Sequence, residues 1–331
     1  MRITIVGIGA LGSLFAARLN PVADVTLYGH WPPQLHALRQ GLTLVDPQGN
    51  RRRVSVAVQN DPAEIPPAPV AFVLVKSYQT RSAAADLAQL LHPDGIAVTL
   101  QNGLGNLEIV SSVVGPSRAI LGSTSEGANI SRPGVVQHAG HGLTHLGHPP
   151  HGDDELLQSL AGTLRDARFR VNLSDDLDHI VWAKLAVNAA INPLTALLKV
   201  PNGFIAENSQ ARDLAEQAAS EVARVATAKG IPISAREASA QALSVARATA
   251  NNRSSMLQDV LNGRPTEIEA ITGAIIHFGD TMGVETPAND SLYKLVKEQS
   301  RSGNWSTAIP ALPLAIQGRF STLYGEVFDD R

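Results

Sequence analysis

Arg2-Ile3-Thr4-Ile5-Val6-Gly7-Ile8-Gly9-Ala10-Leu11-Gly12-Ser13-Leu14-Phe15 is an apolar run that halts at a glycine and resumes at helical spacing. Ile3 to Val6 predicts a short buried strand. Leu11, Leu14, Phe15 and Arg18 predict one face of a helix over Ala10 to Leu19. Between them, Gly7-Ile8-Gly9-Ala10-Leu11-Gly12 matches the dinucleotide fingerprint. In that pattern the first glycine permits the tight turn. The second lets the backbone approach a pyrophosphate, and the third lets helix and strand pack closely. The helix N-terminus that follows offers unpaired N–H groups to an anion. All six residues are therefore candidate cofactor contacts.

Outward from this unit the strand–helix alternation continues. Val25 to Tyr28, Val70 to Val75 and Ile96 to Leu100 read as strands; Val70 to Val75 is a continuous apolar run, as in strands covered on both faces, and Ile96 to Leu100 reads as another buried strand. Ser82 to Leu91 reads as an amphipathic helix, and Leu42 to Val58 as a hairpin turning at Asp46-Pro47-Gln48-Gly49. Five histidines fall between His138 and His151, where alternation around Gly140-His141-Gly142 predicts a hairpin with solvated imidazoles and no metal. After about Asn172 only helical patterns remain. Ser174 is a candidate N-cap with Asp175, Asp176 and Asp178 in the first turn. Further helices are predicted over Asp213–Lys229, Ala235–Ala250, Ser254–Asn262, Glu267–Met282 and Asn289–Ser300. The expected architecture is an α/β N-terminal Rossmann-type dinucleotide-binding domain, residues 1–173, plus an all-α C-terminal domain, residues 174–331. The tail after Arg301 is rich in Gly, Pro and Ser, and has no clear periodicity.

The chain has 331 residues, long enough for two cores, and a formal net charge of −3, which favours neither nucleic acid nor an anionic membrane. With no cysteine there is no disulfide, thiolate metal site or cysteine nucleophile. No apolar run reaches the length expected of a membrane span, and a cytoplasmic protein acting on a small molecule is expected. A homo-oligomer is compatible with the sequence.

The second strand ends Leu27-Tyr28-Gly29-His30, without the acid that binds the ribose hydroxyls of NAD. A 2′-phosphate would meet no repulsion there. His30, and Lys76 after the strand Val70–Val75, are cations or near-cations for it, so NADPH is the expected cofactor. Asn102, just beyond the strand ending at Leu100, lies where a doubly wound sheet binds ligands. Lys184, Asn188 and Asn192 recur at i, i+4 and i+8 within Trp182-Ala183-Lys184-Leu185-Ala186-Val187-Asn188-Ala189-Ala190-Ile191-Asn192-Pro193. They form one polar stripe on an otherwise apolar helix. Unpaired, such groups cost several kcal/mol to bury, so the stripe should line a site. Thr266 and Glu269 fit a capping box, which places Glu267 in a first helical turn, where the dipole favours its ionised form.

These segments together resemble the ketopantoate reductase (2-dehydropantoate 2-reductase) family from Met1 to about Ser300. The shared pieces are Gly7–Gly12, Asn102-Gly103, Lys184-Leu185-Ala186-Val187-Asn188, Asn192-Pro193-Leu194-Thr195, Ser254-Ser255-Met256-Leu257-Gln258-Asp259 and Thr266-Glu267-Ile268. The resemblance implies NADPH-dependent reduction of 2-dehydropantoate, with Lys184 as the catalytic lysine. It implies that Asn188, Asn192, Asn252 and Ser255 hold the substrate, that Glu267 binds its hydroxyl and that Asn102 bridges cofactor and substrate. The chain departs from the family at His30, where the family usually carries arginine. A related dehydrogenase of another small keto or hydroxy acid and a non-catalytic nucleotide-binding protein are the rival readings.

Overall fold

A computed structural model describes residues 1–148, 154–302 and 305. Two compact units emerge: residues 1–101 with 105–177, and residues 102–104 with 178–331. The second begins a few residues beyond the expected 173/174 boundary, because Ser174 ends a strand of the first unit rather than capping a helix. Its Oγ accepts from the Asp176 N–H at 3.2 Å, and the helix starts at Leu177.

The first unit contains β1 (Arg2–Val6), α1 (Ala10–Leu19), β2 (Asp24–Tyr28), α2 (Pro32–Gln40), β3 (Leu42–Val45), β4 (Arg51–Val54), β5 (Ala57–Gln59) and β6 (Ala68–Val73). It continues with α3 (Thr80–Ala85), α4 (Leu87–Leu90), β7 (Leu91–Thr99), α5 (Asn106–Val114), β8 (Ala119–Thr124), β9 (Gly127–Arg132), β10 (Val135–Gly140), β11 (Leu143–Gly147), α6 (Asp154–Asp166) and β12 (Arg170–Ser174). An eight-stranded sheet runs β12-β11-β8-β7-β6-β1-β2-β5, parallel except where β11 meets β8. The strand order reverses around β1, the switch point where such sheets bind ligands. The helix expected over Ser82–Leu91 is two short pieces, α3 and α4, broken at Asp86.

The β3–β4 hairpin forms, turning at Asp46, whose carboxylate accepts from the N–H groups of Gln48 and Asn50. It joins β10 and β9 in a second, four-stranded sheet. The histidine-rich segment is therefore not a hairpin: β10 belongs to the small sheet and β11 to the large one. Nor are its imidazoles all solvated. His138 is buried, with Nε2 2.5 Å from Glu126 Oε2, and Arg18 of α1 stands 3.5 Å from the other oxygen of that carboxylate. Glu126, His138 and His141 do bring metal-ligating atoms within 4.8 Å of one another. The Arg18 guanidinium already supplies that carboxylate with its cation. His151 lies outside the described residues.

Among the described residues, the regular elements of the second unit are all helical: α7 (Leu177–Leu198), α8 (Gly203–Glu207), α9 (Ser209–Ala228), α10 (Ala235–Ala248), α11 (Ser255–Leu261), α12 (Ala274–Met282) and α13 (Pro287–Ser302), with a π-helical turn, Glu269–Gly273, leading into α12. Its core is dense in alanine; Ala215, Ala218, Ala219, Ala223 and Ala226 let α9 pack closely against its neighbours. By length and composition alone α7 could cross a membrane, contrary to the expectation from the sequence, but most of it is buried among protein. The capping box does not form, because the Glu269 carboxylate turns to α13 and accepts from Tyr293 Oη at 2.8 Å and from Lys297. Beyond Ser302, only Trp305 of the tail falls within the described residues.

The glycine turn separates two kinds of constraint. Gly7 has φ +125°, and a β-carbon on Gly12 would lie 1.8 Å from the Gly7 carbonyl oxygen, whereas one on Gly9 would meet nothing within 4 Å. Gly12→Ala should therefore destabilise the protein by about 2 kcal/mol or more, while Gly9→Ala should stay within about 1 kcal/mol of the parent. Urea denaturation of both variants checks this, and equal losses would contradict the packing account.

Candidate functional site

In the first unit, strand register brings three strand ends level. Val6 pairs with Tyr28 on one side and Val73 on the other, so Gly7, Gly29 and Leu74 emerge together. The Gly7 N–H donates to the Tyr28 carbonyl at 2.8 Å, and a β-carbon on Gly7 would strike the Leu74 backbone at 2.7 Å. A β-carbon on Gly9, just ahead of the ten-residue helix α1, would meet nothing within 4 Å, which leaves open space of the kind a pyrophosphate needs beside a helix N-terminus. Ile8 is buried beneath the turn.

His30, exposed two residues past β2, places Nε2 3.0 Å from Tyr28 Oη, which in turn donates to Asp86 at 2.7 Å. Burial and the Asp86 bond push the Tyr28 hydroxyl well above the ordinary tyrosine range. Lys76, half-buried, caps the turn after β6, where its carbonyl accepts from the Gln79 N–H at 2.8 Å. Past β7, the Gln101 amide ties that edge together, donating to the Val75 carbonyl and to Thr80 Oγ1, both at 2.8 Å.

Asn102 opens the three-residue segment that packs with the second unit. The Leu104 N–H donates to the Ala270 carbonyl at 2.8 Å. Gly103, at φ +82°, lies so close that a β-carbon would fall 2.4 Å from the same oxygen. The acceptor belongs to the π-helical turn, whose i→i+5 pattern departs from the hydrogen-bond ladder of an α-helix.

The polar stripe lies along the middle of α7. Trp182, Leu185, Ala186, Ala189 and Ala190 around it are buried, Lys184 and Asn188 are half-buried, and Asn192 is buried. Desolvation lowers the pKa of Lys184 to about 8, against the opposing pull of Glu267. Glu267 itself is buried and stands just before the π-helical turn rather than inside a first helical turn, its carbonyl accepting from the Ile271 N–H at 3.1 Å. Asn192 Nδ2 is buried with no hydrogen-bond partner, a condition native interiors rarely tolerate away from a ligand.

Ser255 and Asn252 border the same unit's α11. Ser255 is half-buried and Asn252 exposed in the turn before it. That turn is anchored by bonds from the Asn202 N–H to the Asn252 carbonyl (2.9 Å) and from Asn202 Nδ2 to Thr249 Oγ1 (2.9 Å). Sequence reasoning missed the link that ties this corner to the stripe. Thr195, one turn past Ile191 on α7, lies 2.7 Å from Ser254 Oγ, and Ser254 caps α11 by accepting from the Leu257 N–H at 3.1 Å. Likewise no local pattern pointed from Tyr28 to Asp86.

The comparisons with known proteins agree over nearly the whole chain. The family described as ketopantoate reductase PanE/ApbA matches residues 3–151, and its C-terminal part matches residues 176–300. Among curated relatives, the 2-dehydropantoate 2-reductase of Archaeoglobus fulgidus is 36% identical, over 89% of this chain and 97% of its own. That of Halobacterium salinarum is 36% identical over 92% and 100%. Among solved structures, D-mandelate dehydrogenase with NADH and anilino(oxo)acetate superposes with a TM-score of 0.86 at 26% identity, covering 92% of this chain and 99% of that one. A ketopantoate reductase from Ralstonia eutropha gives 0.82 at 28%, with 92% and 99% covered. With a nucleotide-type turn on a parallel sheet, a desolvated lysine on a helical unit and matches of this extent, the chain belongs to the ketopantoate reductase family.

Proposed function

We propose that this protein reduces the C2 ketone of 2-dehydropantoate, giving pantoate, with NADPH as reductant, on a cytoplasmic route to pantothenate and coenzyme A. The observation that carries the reading is Lys184, a cation on an apolar helix whose pKa burial lowers to about 8. An acid poised near neutrality is suited to giving up its proton during turnover. The membership of the family and the names of its curated relatives point to the substrate.

The Gly7–Gly12 turn would take the pyrophosphate, and His30 and Lys76 the 2′-phosphate; no acid follows Tyr28 in the sequence at the place where one would bind the ribose hydroxyls of NAD. A nicotinamide held by this turn would supply the hydride that reduces C2. As negative charge grows on the ketone oxygen, the Lys184 ammonium stabilises it and donates the proton that completes the alcohol. Asn188 and Asn192 direct amides at the substrate, and Asn192 Nδ2 has a donor to spare. Ser255 and Asn252 serve the carboxylate, Asn102 lends its amide, and the Glu267 carboxylate accepts from the terminal hydroxyl. A second reading, reduction of another 2-keto acid with NADH, draws support from the likeness to D-mandelate dehydrogenase with NADH and from the absence of arginine at His30. Initial rates with 2-dehydropantoate and with phenylglyoxylate, each with NADPH and NADH, separate the two. Turnover confined to phenylglyoxylate would reject the first.

Lys184→Ala should lower kcat by roughly 10²-fold or more, while NADPH still binds; near-parental turnover removes Lys184 from the chemistry. The active form is the ammonium, so kcat should fall as pH rises through about 8. Glu267 raises the pKa of Lys184, so Glu267→Gln should move that alkaline limb to lower pH. The same variant should lose roughly tenfold in kcat/KM for 2-dehydropantoate, the scale of a charge-assisted bond replaced by a neutral one. It should lose less for an analogue without the hydroxyl, and equal losses would leave Glu267 no role in reading that hydroxyl.

A further inference from the structure

The end of β2 carries three side chains in series. The Asp86 carboxylate, at the break between α3 and α4, accepts from Tyr28 Oη at 2.7 Å. With its proton committed to that carboxylate, the Tyr28 oxygen has only lone pairs to offer His30 Nε2, 3.0 Å away. Nε2 must then carry a hydrogen. Tyr28 is buried and its ring meets the imidazole edge-on, with centroids 5.1 Å apart, so the series is held by packing as well as by hydrogen bonds.

We propose that Asp86, acting through Tyr28, fixes His30 as its Nε2–H tautomer and so makes Nδ1 a two-way reader of the nucleotide ribose. When the imidazole is neutral, Nδ1 is an acceptor and takes the hydrogen of a ribose 2′-hydroxyl, as in NADH. When the imidazole is protonated, Nδ1 becomes a charged donor and holds a 2′-phosphate, as in NADPH. The inner part of the series is the same in both states, since Tyr28 accepts from Nε2–H and donates to Asp86 throughout. Only Nδ1 changes its role. An arginine at this position would donate at every pH. His30 thus makes cofactor choice depend on pH, with the phosphorylated nucleotide favoured on the acid side. Other charged groups lie on the surrounding elements, and Lys76, assigned above to the same phosphate, stands at the turn after β6. Asp61, before β6, acts on the Tyr28 hydroxyl together with Asp86. His36 and Arg39 lie on α2, where Arg39 is engaged with Asn60 at 2.8 Å. Asp86 and Tyr28 are positioning residues, because they act through His30.

This inference rests on the nucleotide reading above, and calorimetric titration of the whole protein with NADP⁺ and NAD⁺ from pH 6.5 to 8.5 tests the two separately. His30→Arg provides the baseline, since its cation does not titrate and any remaining trend belongs to the phosphate. Relative to that baseline, the parent's preference for NADP⁺ should fall about tenfold across the range. Tyr28→Phe and Asp86→Ala, which leave no hydroxyl to give a proton or no acceptor for the Tyr28 proton, should flatten the fall to less than about threefold. In the unliganded protein, nitrogen chemical shifts of the neutral His30 ring should report the Nε2–H form, and Tyr28→Phe should admit the other tautomer. A steady NADP⁺ preference matching His30→Arg would overturn the two-way reader yet leave the NADPH assignment standing. A preference for NAD⁺ at every pH would overturn both. A pH-dependent preference or a tautomer unchanged in Tyr28→Phe and Asp86→Ala would overturn the role of Asp86.

Discussion

Gly12 stands so close to the carbonyl oxygen of Gly7 that a β-carbon would fall 1.8 Å from it, and this approach sets the distance between α1 and the end of β1. Much of the first unit follows from it. The N-terminus of α1 is held over the point where the strand order reverses. Because Val6 is in register with both Tyr28 and Val73, that fixed end also aligns the exits of β2 and β6, from which His30 and Lys76 depart. Farther along α1, Phe15 stacks on Phe169 at 4.4 Å and meets Phe72 at 5.5 Å, so one helix couples the large sheet to its last strand.

A different physics governs the second unit. Its helices bury alanine-rich faces, so backbones approach closely and leave little polar surface among them. In that setting Lys184 keeps a lowered pKa because removing its charge from water outweighs the pull of Glu267. Asn192 has a buried amide whose donors are unmet within the protein. Hydrogen bonds elsewhere make the corner rigid: Thr195 with Ser254, Ser254 with the start of α11, and Glu221 with the N–H groups of Ala288 and Asn289 at the start of α13. Such supports keep a reactive group in place without touching what it acts on.

Legibility from sequence tracks how local each determinant is. The glycine turn, the doubly covered strands β6 and β7, and the stripe on α7 all declare themselves within a dozen residues through spacing and composition. The short strands β8 to β12 do not: β9 and β10 pair with each other, but β10 also joins β3 far back in the chain, and β10 and β11, nearly adjacent, serve different sheets. His138 looked like a surface histidine because its environment comes from Glu126 and from Arg18 on α1. Thr266 and Glu269 had the right spacing for a cap, yet Lys297 and Tyr293 on α13 offered Glu269 a charged partner that no local pattern contains. The series from Asp86 to His30 is likewise invisible until α3 and β2 are brought side by side.

The excursion of residues 102–104 into the second unit also bears on how the polypeptide comes to be made. As it leaves the ribosome, the first unit can complete its sheet while Gly103 and Leu104 still lack the Ala270 carbonyl that will receive them, because that residue is synthesised much later. Domains tend to fold in order of synthesis, and this short segment meets its packing partner only once Ala270 has been made. The same interlacing means that no single cut separates the halves cleanly. A fragment ending at Leu177 keeps residues 102–104 but not their packing partner, and a fragment beginning after it lacks a piece of its own wall.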